Sequence, residues 1–246
     1  MIRHLSKFMK IYTNGCSFTY GDELSNPLEC SWPVILAKKL GADVYNDAVS
    51  GGTNYRTLYQ TIKNTKHNYD LYVIAWTDYS RFTFYNSSNN FEINLNSQLK
   101  NDILDSNSEF KDWSKKFYIY FYNELYAFKI WLQQIIQLQA ILSDRSYLMI
   151  NTFPNNLLFW TETKENFINS IKHLINFDQM DDQQIFAEYD EINYYINNIK
   201  LSKYFQWNRF YIKNLCNSFP IGKNGHILEQ GHDHLANLLY NHICLK

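Results

Sequence analysis

The chain has 246 residues, which is enough for one domain with a sizeable hydrophobic core. Hydrophobic residues make up 46% and charged residues 19%, a balance typical of a soluble globular protein and not of a disordered one. The formal net charge of −1 leaves no basic footprint, which argues against a nucleic-acid partner. The sequence has no run of 18 apolar residues, so no membrane-spanning helix is expected.

The cysteines predict reduced thiols. They form no C-x-x-C pair and are too sparse for a disulfide scaffold. Residues 1–9 carry basic residues without an apolar segment, so no signal peptide is predicted and a cytoplasmic location is expected. Aromatic residues reach 17%, and packing in the core accounts for them more simply than an exposed binding surface does.

The first predicted element is a strand over residues 8–13, an apolar run that breaks at Asn14 and Gly15. Ser17 follows the break. A strand that ends in a glycine turn and presents a serine can expose a nucleophile at the carboxyl edge of a sheet, although an ordinary loop serine would look the same in these residues alone. Its partners must therefore come from the rest of the chain.

The next segments alternate between predicted helices and strands: helix 32–40, strand 43–46, helix 55–66 and strand 70–76. The run at 70–76 is almost continuously apolar, as expected for a strand buried on both faces of a parallel sheet. This alternation predicts an α/β fold with right-handed crossovers. We expect a three-layer α/β/α sandwich with a flavodoxin-like parallel sheet and a mostly helical insertion.

Two insertions interrupt the alternation in the second half. Residues 86–116 begin with a polar, Asn- and Ser-rich stretch, and residues 155–210 are rich in aromatic residues and predicted to be mostly helical. Between and after them, the patterns predict a long helix over 117–142, a strand over 146–151 and a final amphipathic helix over 228–244. The whole chain, 1–246, is expected to form a single domain.

Four short stretches fall at predicted sheet edges or before a helix: 15–19 (GCSFT), 46–53 (NDAVSGGT), 74–78 (IAWTD) and 224–232 (NGHILEQGH). In this order they resemble the consensus blocks of the SGNH, or GDSL-type, hydrolases. The resemblance spans most of the predicted core sheet but neither insertion. It implies a serine esterase that acts through an acyl-serine intermediate.

The resemblance also implies a role for each matching residue. Ser17 would be the nucleophile and His226 the base that takes its proton. The backbone N–H groups of Ser17 and Gly51, together with the Thr77 side chain, would stabilise the oxyanion. Apart from the resemblance, Asp78, Arg81 and Asn54 are possible substrate-edge residues. Asp78 and Arg81, just after the third strand, would orient the loop or contact a substrate carboxylate, or else form a local salt bridge, and Asn54 would alternatively cap the next helix.

The blocks depart from the family pattern in several places. Cys16 stands where the family has Asp, Ala75 where it has Gly, and Thr77 where it has Asn. The acid that should precede His226 is absent, since Asn224 is two residues before it. Three interpretations stay open: Asn224 orients His226 through its amide oxygen, an acid comes from elsewhere in the chain, or activity has been lost.

A metal site is not predicted, because His232 and His234 would face different sides of a helix and His232 suits a structural hydrogen bond better. No cofactor is expected. The predicted partner is a small-molecule or carbohydrate ester, including O-acetyl esters of sugars, which the resemblance suggests. The alternatives are an inactive or weakly active binding or structural protein on the same scaffold, and an O-acyltransferase. The sequence does not fix the oligomeric state.

Overall fold

Four parallel strands form the centre of the fold, in the order β2-β1-β3-β6. The structure, a computed structural model, describes residues 9–86, 91–95, 108–154, 165–167, 180–207 and 209–245. The four strands are β1 (Met9–Asn14), β2 (Ala42–Asn46), β3 (Leu71–Trp76) and β6 (Tyr147–Asn151). A separate antiparallel hairpin pairs β4 (Phe82–Asn86) with β5 (Phe91–Leu95).

Helices cover both faces of this sheet. They are α1 (Ser17–Tyr20), α2 (Pro27–Cys30), α3 (Trp32–Leu40), α4 (Asn54–Asn64), α5 (Ser108–Tyr120), α6 (Glu124–Ile141), α7 (Asp182–Asn198) and α8 (Glu229–Cys244). Short 3-10 turns occupy Thr65–His67, Leu201–Lys203 and Ile212–Asn217. Helices α3 and α8 pack against each other, while α6 packs against α4 and α7.

The side chains of β3 alternate between two cores. Tyr72, Ile74 and Trp76 pack in a cluster with residues of α4, α6 and α7. Val73 and Ala75 point to the other face and pack with residues of α3 and α8. Because successive side chains of a strand point to opposite faces, the two clusters define helix layers on both sides of the sheet. The molecule is therefore a three-layer α/β/α sandwich with a flavodoxin-like strand order, which confirms the predicted fold class.

Strand order reverses around β1. Its neighbour β2 lies on one side, with Ile11 opposite Val44, and β3 lies on the other, with Ile11 opposite Leu71. In open α/β sheets a ligand binds in the crevice at such a switch point, outside the carboxyl ends of the strands. The carboxyl end of β1 leads directly into Ser17, so the fold brings this residue to the expected edge.

Most predicted element boundaries agree with the structure to within two residues, and the helix at Trp32–Leu40 matches at both ends, with Gly41 at a φ of 62° as its stop. The single long helix predicted over 117–142 is wrong. The chain leaves α5 at Tyr120 and begins α6 at Glu124, because the Asn123 side chain accepts the Tyr126 N–H and caps a new helix.

The two predicted insertions are described only in part. The hairpin of β4 and β5 begins the first one, and residues 87–90 and 96–107 lie outside the described residues. In the second, helix α7 is described, while 155–164 and 168–179 lie outside. Within the described part of the chain, no helix combines the length and the apolar character needed to cross a bilayer.

Candidate active site

Ser17 begins a short helix immediately after the turn that ends β1. The Asn14 side-chain oxygen accepts the Gly15 N–H at 2.8 Å and tightens this turn. A Cβ on Gly15 would lie 2.5 Å from Thr19 Oγ1 and 2.9 Å from the Ala75 carbonyl oxygen, so only glycine fits here. As the first residue of α1, Ser17 carries an N–H without an intrahelical acceptor. Ser17 is 5% exposed.

The Cys16 side chain packs into the core. It is fully buried, and its Sγ lies 4.0 Å from Thr152 Oγ1 in the core that contains Phe18. An aspartate at this position would place a carboxylate among apolar side chains, which is costly without a partner. The local packing therefore accounts for a cysteine where the family pattern has Asp.

His226 is oriented by Glu23, a residue that the sequence analysis did not single out. The His226 ring nitrogen Nδ1 lies 2.8 Å from Glu23 Oε2, and both side chains are about 15% exposed. An ionised carboxylate can only accept, so Nδ1 carries the proton and Nε2 has the lone pair. This is the arrangement that a histidine base needs.

Two backbone groups hold the Glu23 carboxylate in place. The Asn224 N–H donates to Oε1 at 2.8 Å, and the His226 N–H donates to Oε2 at 3.2 Å. Burial alone would raise the pKa of the Glu23 carboxyl, but these N–H donors and the His226 ring outweigh it, and the pKa lies below its ordinary value. Glu23 therefore stays ionised at neutral pH.

The group beside His226 Nδ1 is the Glu23 carboxylate and not the Asn224 side chain, which favours the interpretation that the acid comes from elsewhere in the chain. Asn224 contributes its backbone N–H to Glu23, and the carboxylate takes the place beside Nδ1. The acid comes from the loop after α1, about 200 residues from the histidine in sequence. Gly222 allows the approach, since a Cβ there would lie 2.5 Å from Glu23 Cδ. Glu23 itself has a φ of 67°, a left-handed conformation that is strained for this residue type.

Ring contacts bring His226 to the same edge as Ser17. The ring of Phe18, the residue after Ser17, lies 4.9 Å from the His226 ring and 5.6 Å from Phe153, centroid to centroid. Among the described residues, the Ser17 hydroxyl makes no hydrogen bond to His226. Catalytic hydrogen bonds are often long in ligand-free sites and shorten in the substrate complex.

The stretch around Gly51 packs directly on the Ser17 turn. A Cβ on Gly52 would lie 2.8 Å from the Gly15 carbonyl oxygen, so the close approach belongs to Gly52. Gly51 has a φ of 68° and open space where a Cβ would point. The Gly52 N–H donates to Val49 O at 3.1 Å, which closes the turn that contains Gly51.

Asn54 supports this edge from inside and does not lie at its surface. It is 3% exposed, its amide donates to the Thr77 carbonyl at 3.1 Å, and its oxygen accepts the Thr77 N–H at 2.8 Å. The nitrogen and the oxygen of the Asn54 amide thus both hydrogen-bond to the backbone of Thr77. Thr77 is also buried, directly after the last residue of β3.

Asp78 and Arg81 take separate partners. Asp78 Oδ1 accepts the Ser80 N–H at 2.8 Å and so caps the turn after β3. The Arg81 guanidinium instead donates to the Gly52 carbonyl at 3.4 Å and lies over the Phe153 ring, with Cζ 5.1 Å from the centroid. Asp78 and Arg81 therefore do not form a local salt bridge. Arg81 instead links the turn after β3 to the turn that contains Gly52.

His232 has a structural role, as expected. It is fully buried near the start of α8, and its Nδ1 accepts the Trp32 N–H at 3.0 Å. Burial lowers the pKa of His232 to about 4; the nearby His226 adds to this effect and Glu229 opposes it. The folded protein thus holds this ring neutral at a pH where the unfolded chain protonates it.

His232 is expected to make folding sensitive to mild acid. As pH falls from 6.5 to about 4, only the unfolded chain takes up this proton, so the group lowers the unfolding free energy by about 3 kcal/mol. His232→Asn keeps an acceptor for Trp32 and removes the titration. Urea denaturation at several pH values should show a smaller loss in the variant over this window, and parallel curves would contradict the assignment.

No family model matches the sequence, and no curated protein matches it. Among solved structures, the chain is similar to a member of the lipolytic protein G-D-S-L family from Veillonella parvula, with 13% identity, a TM-score of 0.42 and coverage of 96% of this chain and 97% of that one. It is also similar to phospholipase A1 from Streptomyces albidoflavus, with 10% identity, a TM-score of 0.43 and coverage of 95% and 98%.

A third similar structure is a carbohydrate esterase family 2 enzyme with a carbohydrate-binding domain from Corynascus thermopiles (Myceliophthora fergusii). It has 15% identity and a TM-score of 0.44, and the match covers 96% of this chain and 66% of that one. Identities and TM-scores at this level do not carry residue roles from one protein to another. The role of each residue is therefore argued from the geometry of this chain.

Proposed function

We propose that this protein is a serine hydrolase of carboxylic esters, with Ser17 as nucleophile, His226 as base and Glu23 as the acid that orients the base. The observation that carries the proposal is the contact of 2.8 Å between His226 Nδ1 and Glu23 Oε2, beside the helix that Ser17 begins. A serine after a strand, a histidine and a buried carboxylate on its Nδ1 are the parts of a nucleophilic triad.

The proposed reaction uses only groups of this chain. His226 Nε2 takes the Ser17 proton while Oγ attacks the ester carbonyl carbon, and the tetrahedral intermediate collapses as the alcohol leaves with that proton. Water then attacks the acyl-serine, gives its proton to Nε2, and the carboxylic acid is released as the proton returns to Oγ. Glu23 stabilises the imidazolium that forms in each half.

The oxyanion would be held by the backbone N–H groups of Ser17 and Gly51, with the Thr77 hydroxyl as a third donor. Ser17 N–H has no intrahelical acceptor, and Gly51 precedes Gly52, which packs against the Gly15 turn. A hydroxyl gives one donor where the amide of an asparagine gives two. The site therefore relies on its backbone donors more than the family pattern implies.

Thr77→Val tests the third donor. Valine has the shape of threonine without the hydroxyl, so the buried position stays filled while the donor is lost. We expect kcat to fall about 10²-fold with little change in KM, because an oxyanion donor acts in the transition state. Thr65→Val, at an exposed hydroxyl bonded to Ile62, is the matched control. An unchanged kcat would remove Thr77 from the oxyanion site.

The proposed substrate is an ester with a small acyl group, including O-acetyl groups on carbohydrate. A short-chain p-nitrophenyl ester should be turned over, and rapid quenching followed by peptide mass spectrometry should find the acyl group on Ser17. Turnover without acylation of Ser17 would overturn the mechanism, and no turnover of any short-chain ester would favour a binding protein on this scaffold. Transfer of the acyl group to an added alcohol would identify an acyltransferase.

A further inference from the structure

Two cationic side chains lie against one aromatic ring at the edge of the candidate site. Arg81 Cζ is 5.1 Å and Lys213 Nζ is 5.5 Å from the centroid of Phe153, which follows β6. Each position is favourable for a cation–π contact. The two charges also repel each other, so their shared position favours the approach of an anion.

The position of Phe153 ties both charges to the triad. Its ring packs edge-to-face on Phe18 at 5.6 Å, and Phe18 contacts the His226 ring at 4.9 Å. On the other side, Arg81 donates to the carbonyl of Gly52, the neighbour of the proposed oxyanion glycine. Arg81 and Lys213 thus lie beside the crevice. Both contact Phe153, which packs on Phe18, the residue after Ser17.

Neither cation is neutralised within the described residues. Arg81 hydrogen-bonds a carbonyl, and the nearby Asp78 carboxylate accepts from the Ser80 N–H. Two other cations of the described residues are held by carboxylates: Arg56 by Asp47 at 3.5 Å, and Lys129 by two glutamates at 2.8 Å. What distinguishes Arg81 and Lys213 is that both lie at one ring, so that their positive charge is concentrated at this edge.

We propose that Arg81 and Lys213 recognise a carboxylate carried by the ester substrate, so that the enzyme prefers anionic esters, such as half-esters of dicarboxylic acids, to neutral ones. The proposal rests on the proposed function in assuming that the bound ester is hydrolysed. The binding of the ester does not depend on the proposed function. Arg81 is half-buried and fixed on Gly52, which suits a forked contact with a carboxylate. Lys213 is exposed and adds a second charge.

The test measures binding to protein that carries Ser17→Ala, so that turnover is not needed. Monoethyl succinate, whose alkoxide is too poor a leaving group for attack by the neighbouring carboxylate, is compared with its methyl ester, which lacks the charge and is one carbon longer, by ligand-observed NMR at low and high salt. The comparison is repeated with Lys213→Met, with Arg81→Met and with both added. Lys39→Met is the matched control, because Lys39 is exposed in the last turn of α3, at the opposite end of the sheet.

We expect the anionic ester to bind about 10-fold more tightly than its methyl ester at low salt, and salt to weaken this preference. Each methionine should reduce the preference about 3-fold, the pair should abolish it, and Lys39→Met should leave it unchanged. Equal affinity for the two esters, or a preference that survives both substitutions, would overturn the proposal. Lys213 is on the surface, so its variant stays informative if Arg81→Met disturbs folding. Wild-type protein that binds the anionic ester selectively but never hydrolyses it would overturn the esterase proposal alone.

Discussion

Ser17→Ala is expected to lower kcat for a short-chain p-nitrophenyl ester by about 10⁴–10⁶-fold. The variant removes the only atom that the proposed mechanism makes covalently reactive. Histidine and carboxylate then have no hydroxyl to activate, which is why loss of the nucleophile alone is about as damaging as loss of the whole triad.

The fold should tolerate this change. Ser17 is almost fully buried, but alanine fits the first position of α1 and removes one oxygen without opening a large cavity. Thermal unfolding of the variant is therefore expected within a few degrees of the wild type. Ser218→Ala, at an exposed serine, should keep full activity. Equal rates in wild type and Ser17→Ala would sink the esterase proposal and favour the non-catalytic alternative.

The sheet and its two helix layers could be predicted because their signals are local. The apolar run that became β3 and the spacing that became α3 each lie within ten residues, and Gly41 marks a stop that any helix of this sequence would need. The missed break at Asn123 was also a local signal. The prediction of one long helix misses this capping side chain because Phe121 and Tyr122 continue the apolar pattern up to it.

The site could be predicted only where its residues belong to such local patterns. Ser17, Gly51 and His226 each follow a strand or precede a helix, so a motif marks them. Glu23 carries no such mark, because its role depends on the loop from Gly222 to His226 folding onto the loop after α1. In sequence it is one acid in a polar loop. Its one signal is indirect: a histidine base without a neighbouring acid requires one from elsewhere.

Asn54, unlike Glu23, is marked by its position in the sequence, but that position does not reveal its role. Its position just before a helix and after the paired glycines suggested a surface role, and the residue type suits either a cap or a substrate contact. Only the tertiary structure reveals that the carboxyl end of β3 lies beside Asn54, so that both amide atoms of Asn54 bind the Thr77 peptide. Polar residues near a sheet edge are thus ambiguous in sequence until the neighbouring strand is in place.

Glu23→Gln is expected to lower kcat about 10³–10⁴-fold while KM changes little. Glutamine nearly preserves the shape, but it carries no charge to stabilise imidazolium and can present its NH₂ to Nδ1. A donor facing Nδ1 would favour the wrong tautomer, with the proton on Nε2, and His226 could then not accept the Ser17 proton. Glu29→Gln, at an exposed glutamate of α2, is the matched control and should stay active.

The same variant should change the response to acid in a predictable direction. The pKa of the Glu23 carboxyl is lowered in the folded protein, so its contribution to the unfolding free energy is present above pH 4.5 and is lost as pH falls through the folded value. Glu23→Gln should lack this contribution to the unfolding free energy. The loss of stability that His232 causes between pH 6.5 and about 4 should stay. Denaturation curves at pH 7 and in the acid range separate the two.

Asn224→Ala completes the argument about what orients His226. The Asn224 backbone N–H, which holds Glu23, survives this change, and the side chain is not the partner of Nδ1. We therefore expect Asn224→Ala to keep kcat within a few-fold of the wild type, whereas Glu23→Gln loses several orders of magnitude. The reverse order of effects would restore the asparagine that the sequence favoured and reject the carboxylate. Comparable losses in both variants would mean that the loop acts as one unit and that the charge of Glu23 is not what the histidine requires.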